Sequence, residues 1–347
     1  MNITIEKIDL NAISKEEEQS INMVLKESPF STIFHTIHWN RLLIEELKLK
    51  NTSLLAMNSG KPVAFHTFYE EKEAGTTKLN SPEGRYYSFY GAPIAISGYE
   101  EAISELLKTS EKIIKGGIWF IRTPPNYPKK SLTAAGYKCR ESFTCIIDLQ
   151  KEEGELFKGI KRSTRTAVKK AARSGVNFFE GTSADFDEFY SIYESFYKKI
   201  EDKTETKLFI LPARFFIRVW EEFSRRNEAF MLIGKLENQI TNGSICLCYK
   251  DVIYAWIMGT KYEYRQYGVD SLLYWEIIKW GRAHGYKFWD NCDLGMPSPE
   301  KSKRMYFKKA FGGKDSFFYF AIKKTRRHYW NRLCFYLSHP KNLIKKI

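Results

Sequence analysis

Residues 264–314, YRQYGVDSLLYWEIIKWGRAHGYKFWDNCDLGMPSPEKSKRMYFKKAFGGK, decide the fold. They read as a loop, a long helix over 269–284, a strand over 287–291 that ends in acidic residues, and a closing helix rich in basic and aromatic residues. The Gly285-Tyr286 pair separates the long helix from the strand. A strand directly after a helix of this length is typical of an α/β fold.

The same order of elements occurs earlier in the chain, which predicts a duplicated domain. The matching segments, about 170 residues apart, are GGIWFI (116–121) with GYKFWD (285–290), AAGYK (134–138) with AFGGK (310–314), and FTCIIDL (143–149) with FFYFAIK (317–323). We therefore predict two copies of one mixed α/β fold, each a twisted mixed sheet flanked by helices. The first occupies 1–150 and the second 151–324, and a basic, aromatic tail follows over 325–347.

The composition indicates a folded protein with an anionic partner. The chain has 347 residues, of which 43% are hydrophobic and 16% aromatic, and these values exclude disorder as the main state. Its 55 Lys and Arg outnumber 41 Asp and Glu, which gives a formal net charge of +14. An excess of this size favours nucleic acid, nucleotide phosphate or a lipid surface as a partner, without choosing among them.

The cysteines and the N-terminus point to the cytoplasm. Six cysteines are scattered without paired spacing, so neither a disulfide framework nor a metal site is expected. No basic start with an apolar stretch opens the chain, and no apolar run approaches the roughly 18 residues of a membrane span. We expect a cytoplasmic protein.

A basic segment at 154–173, GELFKGIKRSTRTAVKKAAR, is predicted to form one continuous helix. Apolar positions line one face and a row of cations lines another. We predict phosphate binding by four of these cations, Lys161, Arg162, Arg165 and Lys169. The alternative is an ordinary solvated helix face.

Two motifs resemble the Fem family of aminoacyl-tRNA-dependent transferases, which extend peptidoglycan side chains. The sequence FKKAFGG at 307–313 is similar to the family's FK-x-x-FGG signature, and Lys161-Arg162-x-x-Arg165 is similar to the segment that opens its second domain. The resemblance implies two tandem acetyltransferase-like (GNAT) domains, the function of an N-acyltransferase, and no resident cofactor. It further implies aminoacyl-tRNA as co-substrate and an amine of a nucleotide- or lipid-linked peptidoglycan precursor as acceptor.

The same resemblance places Phe307 and Lys308 at the aminoacyl end of the tRNA. A lysine ammonium suits a developing oxyanion, and an aromatic ring suits stacking on the terminal adenine. The alternative is that Phe307 and Phe311 anchor the core while Lys308 is solvated. Asp290 and Asp293, at the strand end, are candidate proton acceptors for the acceptor amine, and the alternative for both is turn capping.

A competing function comes from Arg265-x-x-Gly268-x-Asp270 at the start of the long helix. It partly resembles the loop that holds the acetyl-CoA pyrophosphate in single-domain GNAT enzymes, with Arg265 and Gly268 as donor-binding residues. Asp270 departs from that pattern, because a carboxylate repels pyrophosphate. The alternative functions are therefore an acetyl-CoA-dependent N-acetyltransferase acting on a sugar amine in cell-envelope polysaccharide assembly, and a non-catalytic RNA- or membrane-binding protein.

The C-terminal segment 323–347 holds eight Lys or Arg, no acidic residue, and several aromatic residues. Cations attract anionic headgroups and aromatic residues favour the bilayer boundary, so we expect peripheral contact with the inner membrane face through 325–347. The alternative is that the aromatic face packs back onto the second domain.

Overall fold

The computed structural model describes residues 2–73, 76–80, 89–114, 117–204, 210–292 and 303–338. The chain forms two compact units. Unit 1 comprises Met1–Ser142 and Phe317–Ile347, and unit 2 comprises Phe143–Ser316.

One order of strands and helices occurs in both halves of the chain, with further elements added to each half. The first half contains β1 (Ile3–Ile8), α1 (Lys15–Glu27), α2 (Ile37–Leu47), β2 (Asn51–Asn58), β3 (Lys61–Glu73), β4 (Thr76–Asn80), β5 (Ile94–Ala95), α3 (Glu101–Ile113), β6 (Ile118–Arg122), α4 (Lys129–Ala134) and β7 (Lys138–Asp148). The second half contains α5 (Glu153–Gly159), α6 (Arg162–Arg173), β8 (Asn177–Glu180), α7 (Phe186–Thr204), α8 (Ala213–Ser224), β9 (Ala229–Leu236), β10 (Gln239–Tyr249), β11 (Val252–Thr260), α9 (Val269–Ala283), β12 (Phe288–Asp290), α10 (Lys303–Lys309), β13 (Lys314–Lys324) and α11 (Arg326–Ser338). The added elements are β5 in the first half and α5, α6 and α11 in the second.

The two sheets have the same topology. In unit 1 the strand order is β1-β2-β3-β4-β6-β13, and in unit 2 it is β8-β9-β10-β11-β12-β7, while β5 adds to β3. Neighbours are antiparallel, except that β4 pairs with β6 and β11 with β12 in parallel. Helices α3 and α9 make the crossovers that these parallel pairs need. The predicted duplicated, mixed α/β fold is confirmed.

The sixth strand of each sheet comes from the other half of the chain. Residues 320–324 of β13 pair with β6 in unit 1, and residues 146–148 of β7 pair with β12 in unit 2. The predicted domain boundaries, 1–150, 151–324 and 325–347, follow chain order. They therefore differ from the two units, because each unit includes a strand from the other half of the chain. Both segments, FTCIIDL (143–149) and FFYFAIK (317–323), are near-continuous apolar runs. Such a run indicates a buried strand, but it does not select the sheet edge with which the strand pairs.

The prediction of one continuous helix over 154–173 is wrong. Helix α5 ends at Gly159 and α6 begins at Arg162, because Ile160 and Lys161 adopt extended backbone with ψ of 140° and 142°. The buried side chain of Ile160 enters the unit 2 core at this break, together with Val168 and Ala171 of α6. The predicted apolar face is present. Of the four predicted phosphate ligands, Lys161 lies in the break, and Arg162, Arg165 and Lys169 lie on α6.

Candidate active site

The sheet of unit 2 opens where its parallel pair of strands ends. β11 and β12 pair over only three positions, the last of which joins Tyr254 to Asp290, and β11 then continues to Thr260. A β-bulge at Trp256 interrupts the register of β11 with β10 immediately after this point. Bulges bend a strand, and ligands of open α/β sheets bind beyond the carboxyl ends of parallel strands. The end of β12 is therefore a candidate position for a ligand.

Asp290 is buried at this end, with an exposed fraction of 1%. Its Oδ1 accepts a hydrogen bond from the Thr144 hydroxyl and another, of 2.8 Å, from the Cys292 backbone N–H. The second bond closes a turn of the kind aspartate commonly makes two residues ahead. The turn-capping alternative thus describes these contacts, and a proton-accepting role for Asp290 stays a prediction. Asp293 lies outside the described residues.

Asn291 follows Asp290 and is completely buried, with an exposed fraction of 0%. Its backbone N–H and its Nδ2 both donate to the Cys145 carbonyl, at 3.0 and 3.2 Å. Among the residues that the structure describes, the Oδ1 of Asn291 has no hydrogen-bond partner. A buried amide oxygen is costly without a donor, so it marks a place where a ligand or water can bind. Sequence reasoning missed Asn291, although its position directly after the strand was a usable signal.

Lys308 of α10 is buried against the same strand end, with an exposed fraction of 6%. Its ammonium donates to the backbone carbonyl of Asn291 and, at 3.1 Å, to that of Cys292. The alternative of a solvated Lys308 is wrong. The buried Lys308 side chain thus lies against Asn291 and holds the chain that leaves β12.

The aromatic residues of the FK-x-x-FGG motif pack on α9. Phe311 is 2% exposed and belongs to the unit 2 core, which agrees with the core-anchor alternative. Phe307 is only partly buried and makes edge contacts with Tyr274 and Phe311, with ring centroids 4.8 and 5.4 Å apart. Its stacking on a base stays a prediction.

The last glycine of the motif is required by packing. A Cβ on Gly313 would lie 2.3 Å from the Cys145 Sγ and 3.0 Å from the Ile146 carbonyl oxygen. Only glycine therefore allows the chain to pass so close to β7. Burial also raises the pKa of the Cys145 thiol to about 12, so this thiol is not a nucleophile at neutral pH.

The four predicted phosphate ligands have different surroundings. Arg165 donates through Nη1 to the carbonyls of Lys158, at 2.8 Å, and Ile160, so it closes the break between α5 and α6. Lys161 donates its backbone N–H to the Ala310 carbonyl at 2.8 Å, and its ammonium lies 3.8 Å from the Tyr306 ring centroid. The side chains of Lys161, Arg162 and Lys169 are exposed. Lys161 is thus brought to α10, the helix that carries Lys308.

In the loop before α9, the space in which a pyrophosphate would bind is filled by groups of the protein itself. Gly268 has a φ of 82°, and a Cβ there would lie 2.9 Å from the Ala167 carbonyl oxygen of α6. The Asp270 carboxylate accepts a hydrogen bond from the Thr260 hydroxyl, and its Oδ2 lies 3.6 Å from the Arg265 Nε. A fixed carboxylate therefore stands in the first turn of α9 and offsets the charge of Arg265.

Unit 2 also contains a cavity away from the end of β12. A shallow cavity of about 230 Å³ lies between α7 and the end of β11, and Lys199, Thr260 and Tyr262 are among its lining residues. Across the described ranges, no three His, Cys, Asp or Glu side chains form a group able to hold a metal ion. No helix within those ranges is long and apolar enough to cross a membrane.

Comparisons with known proteins agree with this fold. Residues 158–302 match a family described as acetyltransferase (GNAT) domain. The crystal structure of FemX superposes with a TM-score of 0.67 at 14% identity, and the match covers 90% of this chain and 96% of that chain. No curated protein matches the sequence.

Two other solved structures share the fold. The C-terminal domain of a putative lysylphosphatidylglycerol synthetase from Agrobacterium fabrum has a TM-score of 0.59 at 12% identity, covering 90% of this chain and 93% of that one. A tandem GNAT protein from the clavulanic acid biosynthesis pathway has a TM-score of 0.54 at 10% identity, covering 93% and 98%. The predicted tandem GNAT-type fold and the resemblance to Fem-like proteins are confirmed at the level of the fold, and the matches support an acyltransferase of GNAT type.

Proposed function

We propose that this tandem GNAT-type protein is a Fem-like N-acyltransferase, which moves an aminoacyl group from aminoacyl-tRNA to an amine of a peptidoglycan precursor. The observation that carries the choice of donor is the Asp270 carboxylate in the first turn of α9. A pyrophosphate at this helix start would meet a negative charge that Thr260 holds in place, and Arg265 is already engaged with that charge. An acetyl-CoA donor is disfavoured for that reason.

The polar cluster at the end of β12 supplies what aminoacyl transfer needs. The acceptor amine attacks the ester carbonyl, a C–N bond forms, and the C–O bond to the terminal ribose breaks. The carbonyl oxygen carries negative charge in between, and the proton lost by the amine ends on the ribose hydroxyl. The buried Lys308 ammonium favours that negative charge, and the Asn291 Oδ1 accepts an N–H of the attacking amine.

The exposed cations near α10 suit the phosphates of the donor. Lys161 is held on Tyr306 of α10 and also bonded to Ala310, so its position relative to Lys308 is fixed within unit 2. Arg162 and Lys169 remain available on the surface of α6. Arg165 is less available for this role, because its Nη1 already donates to the carbonyls of Lys158 and Ile160 at the end of α5.

A transfer assay with two donors tests the proposal. Purified protein is incubated with a nucleotide-linked muramyl peptide and either bulk aminoacyl-tRNA labelled in the amino acid or labelled acetyl-CoA. We expect label on the peptide only from the tRNA, and tRNA binding that weakens steeply with salt. Transfer from acetyl-CoA instead, or saturable CoA binding, would overturn the donor.

The Arg265→Ala variant distinguishes an aminoacyl-tRNA donor from an acetyl-CoA donor. Under the proposed function Arg265 contacts the Asp270 carboxylate and the rings of Phe196 and Tyr262 and takes no part in donor binding, so transfer from tRNA should change less than roughly threefold, as for exposed ion pairs. Under the acetyl-CoA function its loss should abolish CoA binding. Turnover with neither donor, combined with intact RNA binding, would favour the non-catalytic alternative.

A further inference from the structure

The outward face of α11 is apolar. Four large side chains on this helix of unit 1 are mostly exposed to solvent: Tyr329 (63%), Trp330 (67%), Leu333 (52%) and Leu337 (71%). Residues 329, 333 and 337 are spaced by four, and residue 330 lies beside them, so they form one continuous stripe. Isolated apolar residues on a surface need no explanation, but a stripe of this kind marks an interaction site.

The opposite face of α11 packs against the rest of unit 1. His328 is 3% exposed, Asn331 and Phe335 are partly buried, and α11 packs against β4 of unit 1. The alternative, in which the aromatic face packs back onto the second domain, does not account for the stripe, because its four side chains are mostly exposed. An amphipathic helix on a globular protein normally turns its apolar face inward, whereas α11 presents apolar residues outward.

The charge around this stripe identifies its partner. Eight Lys or Arg and no Asp or Glu lie within residues 323–347. Lys323 is paired with Glu111 at 2.7 Å, but Lys324 and Arg326 are exposed, and Arg326 lies one turn before Trp330 on α11. Tyrosine and tryptophan favour the boundary between headgroups and acyl chains, and lysine and arginine bind anionic lipid surfaces. A second protein surface would not require a sequence segment this rich in cations and without acidic residues.

We propose that α11 docks on an anionic lipid bilayer. The stripe 329/330/333/337 enters the boundary between headgroups and acyl chains, and the flanking cations lie among the lipid phosphates. The attachment is peripheral. It brings the enzyme to the surface at which a lipid-linked acceptor is held, but the docking itself depends neither on the donor nor on catalysis.

Vesicle co-sedimentation of the full chain tests the docking. We expect binding to phosphatidylglycerol-containing vesicles that exceeds binding to pure phosphatidylcholine vesicles by roughly tenfold, and that weakens with salt. The variant Trp330→Glu should lower the partition coefficient by roughly tenfold or more, because it places a negative charge in the apolar stripe. Met23→Glu is the matched control, since Met23 is 51% exposed on α1 of the same unit and should leave binding unchanged.

A native cysteine provides a second readout. Cys334 is exposed on α11, one turn after Trp330, whereas the other described cysteines are buried or partly buried. Anionic vesicles should protect Cys334 from a bulky water-soluble maleimide, and Trp330→Glu should remove the protection. Equal labelling with and without vesicles would overturn the proposal.

Two other occupants of the stripe give different results. Docking of a second copy would produce concentration-dependent dimers that Trp330→Glu dissociates, with no vesicle binding. Covering by residues 339–347 would give low Cys334 labelling without any vesicles. Either result overturns lipid docking, and neither bears on the transfer assay, so the proposed function is tested separately.

Discussion

Replacing Lys308 with methionine should loosen the end of β12. The ammonium donates to the carbonyls of Asn291 and Cys292, and the side chain is 6% exposed. A buried carbonyl that loses its donor costs about 1–3 kcal/mol, which gives about 2–6 kcal/mol for two. Methionine fills much of the same volume and needs no desolvation of a charge, which offsets part of that cost. We expect a net loss of about 2–3 kcal/mol in the local free energy of opening.

Cys292 reports this opening directly. Its thiol is buried at 1% exposure and lies 3.5 Å from the Asp290 carbonyl oxygen, so alkylation requires the strand end to open. A loss of about 2–3 kcal/mol corresponds to a roughly 30- to 150-fold faster alkylation of Cys292 under native conditions. The rate is measured by mass spectrometry of the peptide that contains Cys292, at several reagent concentrations.

Lys309→Met is the matched control. Lys309 is adjacent in sequence, but its ammonium makes a partly exposed ion pair with Asp315 at 2.6 Å and lies 4.6 Å from the Phe143 ring centroid. Such a pair contributes about 0–1 kcal/mol, so Cys292 alkylation should rise by less than roughly fivefold. Equal alkylation rates in the Lys308 and Lys309 variants would refute the argument that Lys308 holds the strand end. If Lys308 also acts on the oxyanion, Lys308→Arg should restore slow alkylation more completely than it restores transfer.

Two further predictions concern stability. Gly313→Ala places a Cβ 2.3 Å from the Cys145 Sγ and should cost about 1–3 kcal/mol by overpacking, seen as a lower urea midpoint, whereas Gly154→Ala, with no atom within 4 Å, should not. Burial, and secondarily the charge of His35, hold the pKa of His66 well below 6.5, so the unfolded chain binds the extra proton. Stability that His66 lends to unit 1 is thus present above pH 6.5 and falls below it by up to about 1.4 kcal/mol per pH unit. His66→Phe should remove that part of the dependence in urea unfolding at pH 7.5 and 5.5, and an identical pH dependence in both proteins would contradict this.

Local sequence patterns were sufficient for the elements and for their duplication. The apolar spacing of residues 269–283 encodes α9 independently of its neighbours, and the following glycine and tyrosine end it before β12. The capping box of α1, in which Ser14 and Glu17 exchange hydrogen bonds, likewise depends only on residues three positions apart in the sequence. Because the same order of such signals occurs twice, the tandem fold could be predicted without any contact between distant residues.

Only part of the site could be predicted, because local patterns contain no information about contacts between residues far apart in the sequence. The motif pointed to Phe307 and Lys308, but not to the carbonyls that the ammonium would reach. Asn291 carried no motif, and the contacts that orient its side chain, from its N–H and Nδ2 to the Cys145 carbonyl, come from a strand far away in the sequence. The role expected of Arg165 changed when two residues left the helical conformation and exposed carbonyls for it to bind.

The sequence by itself determined which residues form helices and strands, the repetition of the fold, the net charge of +14 and the cations of the C-terminal segment. The tertiary structure alone decided the exchange of β7 and β13 between sheets, the burial of Lys308, and the outward direction of the apolar face of α11. The spacing of apolar residues within a segment indicates which of its faces is buried. The identity of the covering surface depends on residues far along the chain, and no local pattern contains it.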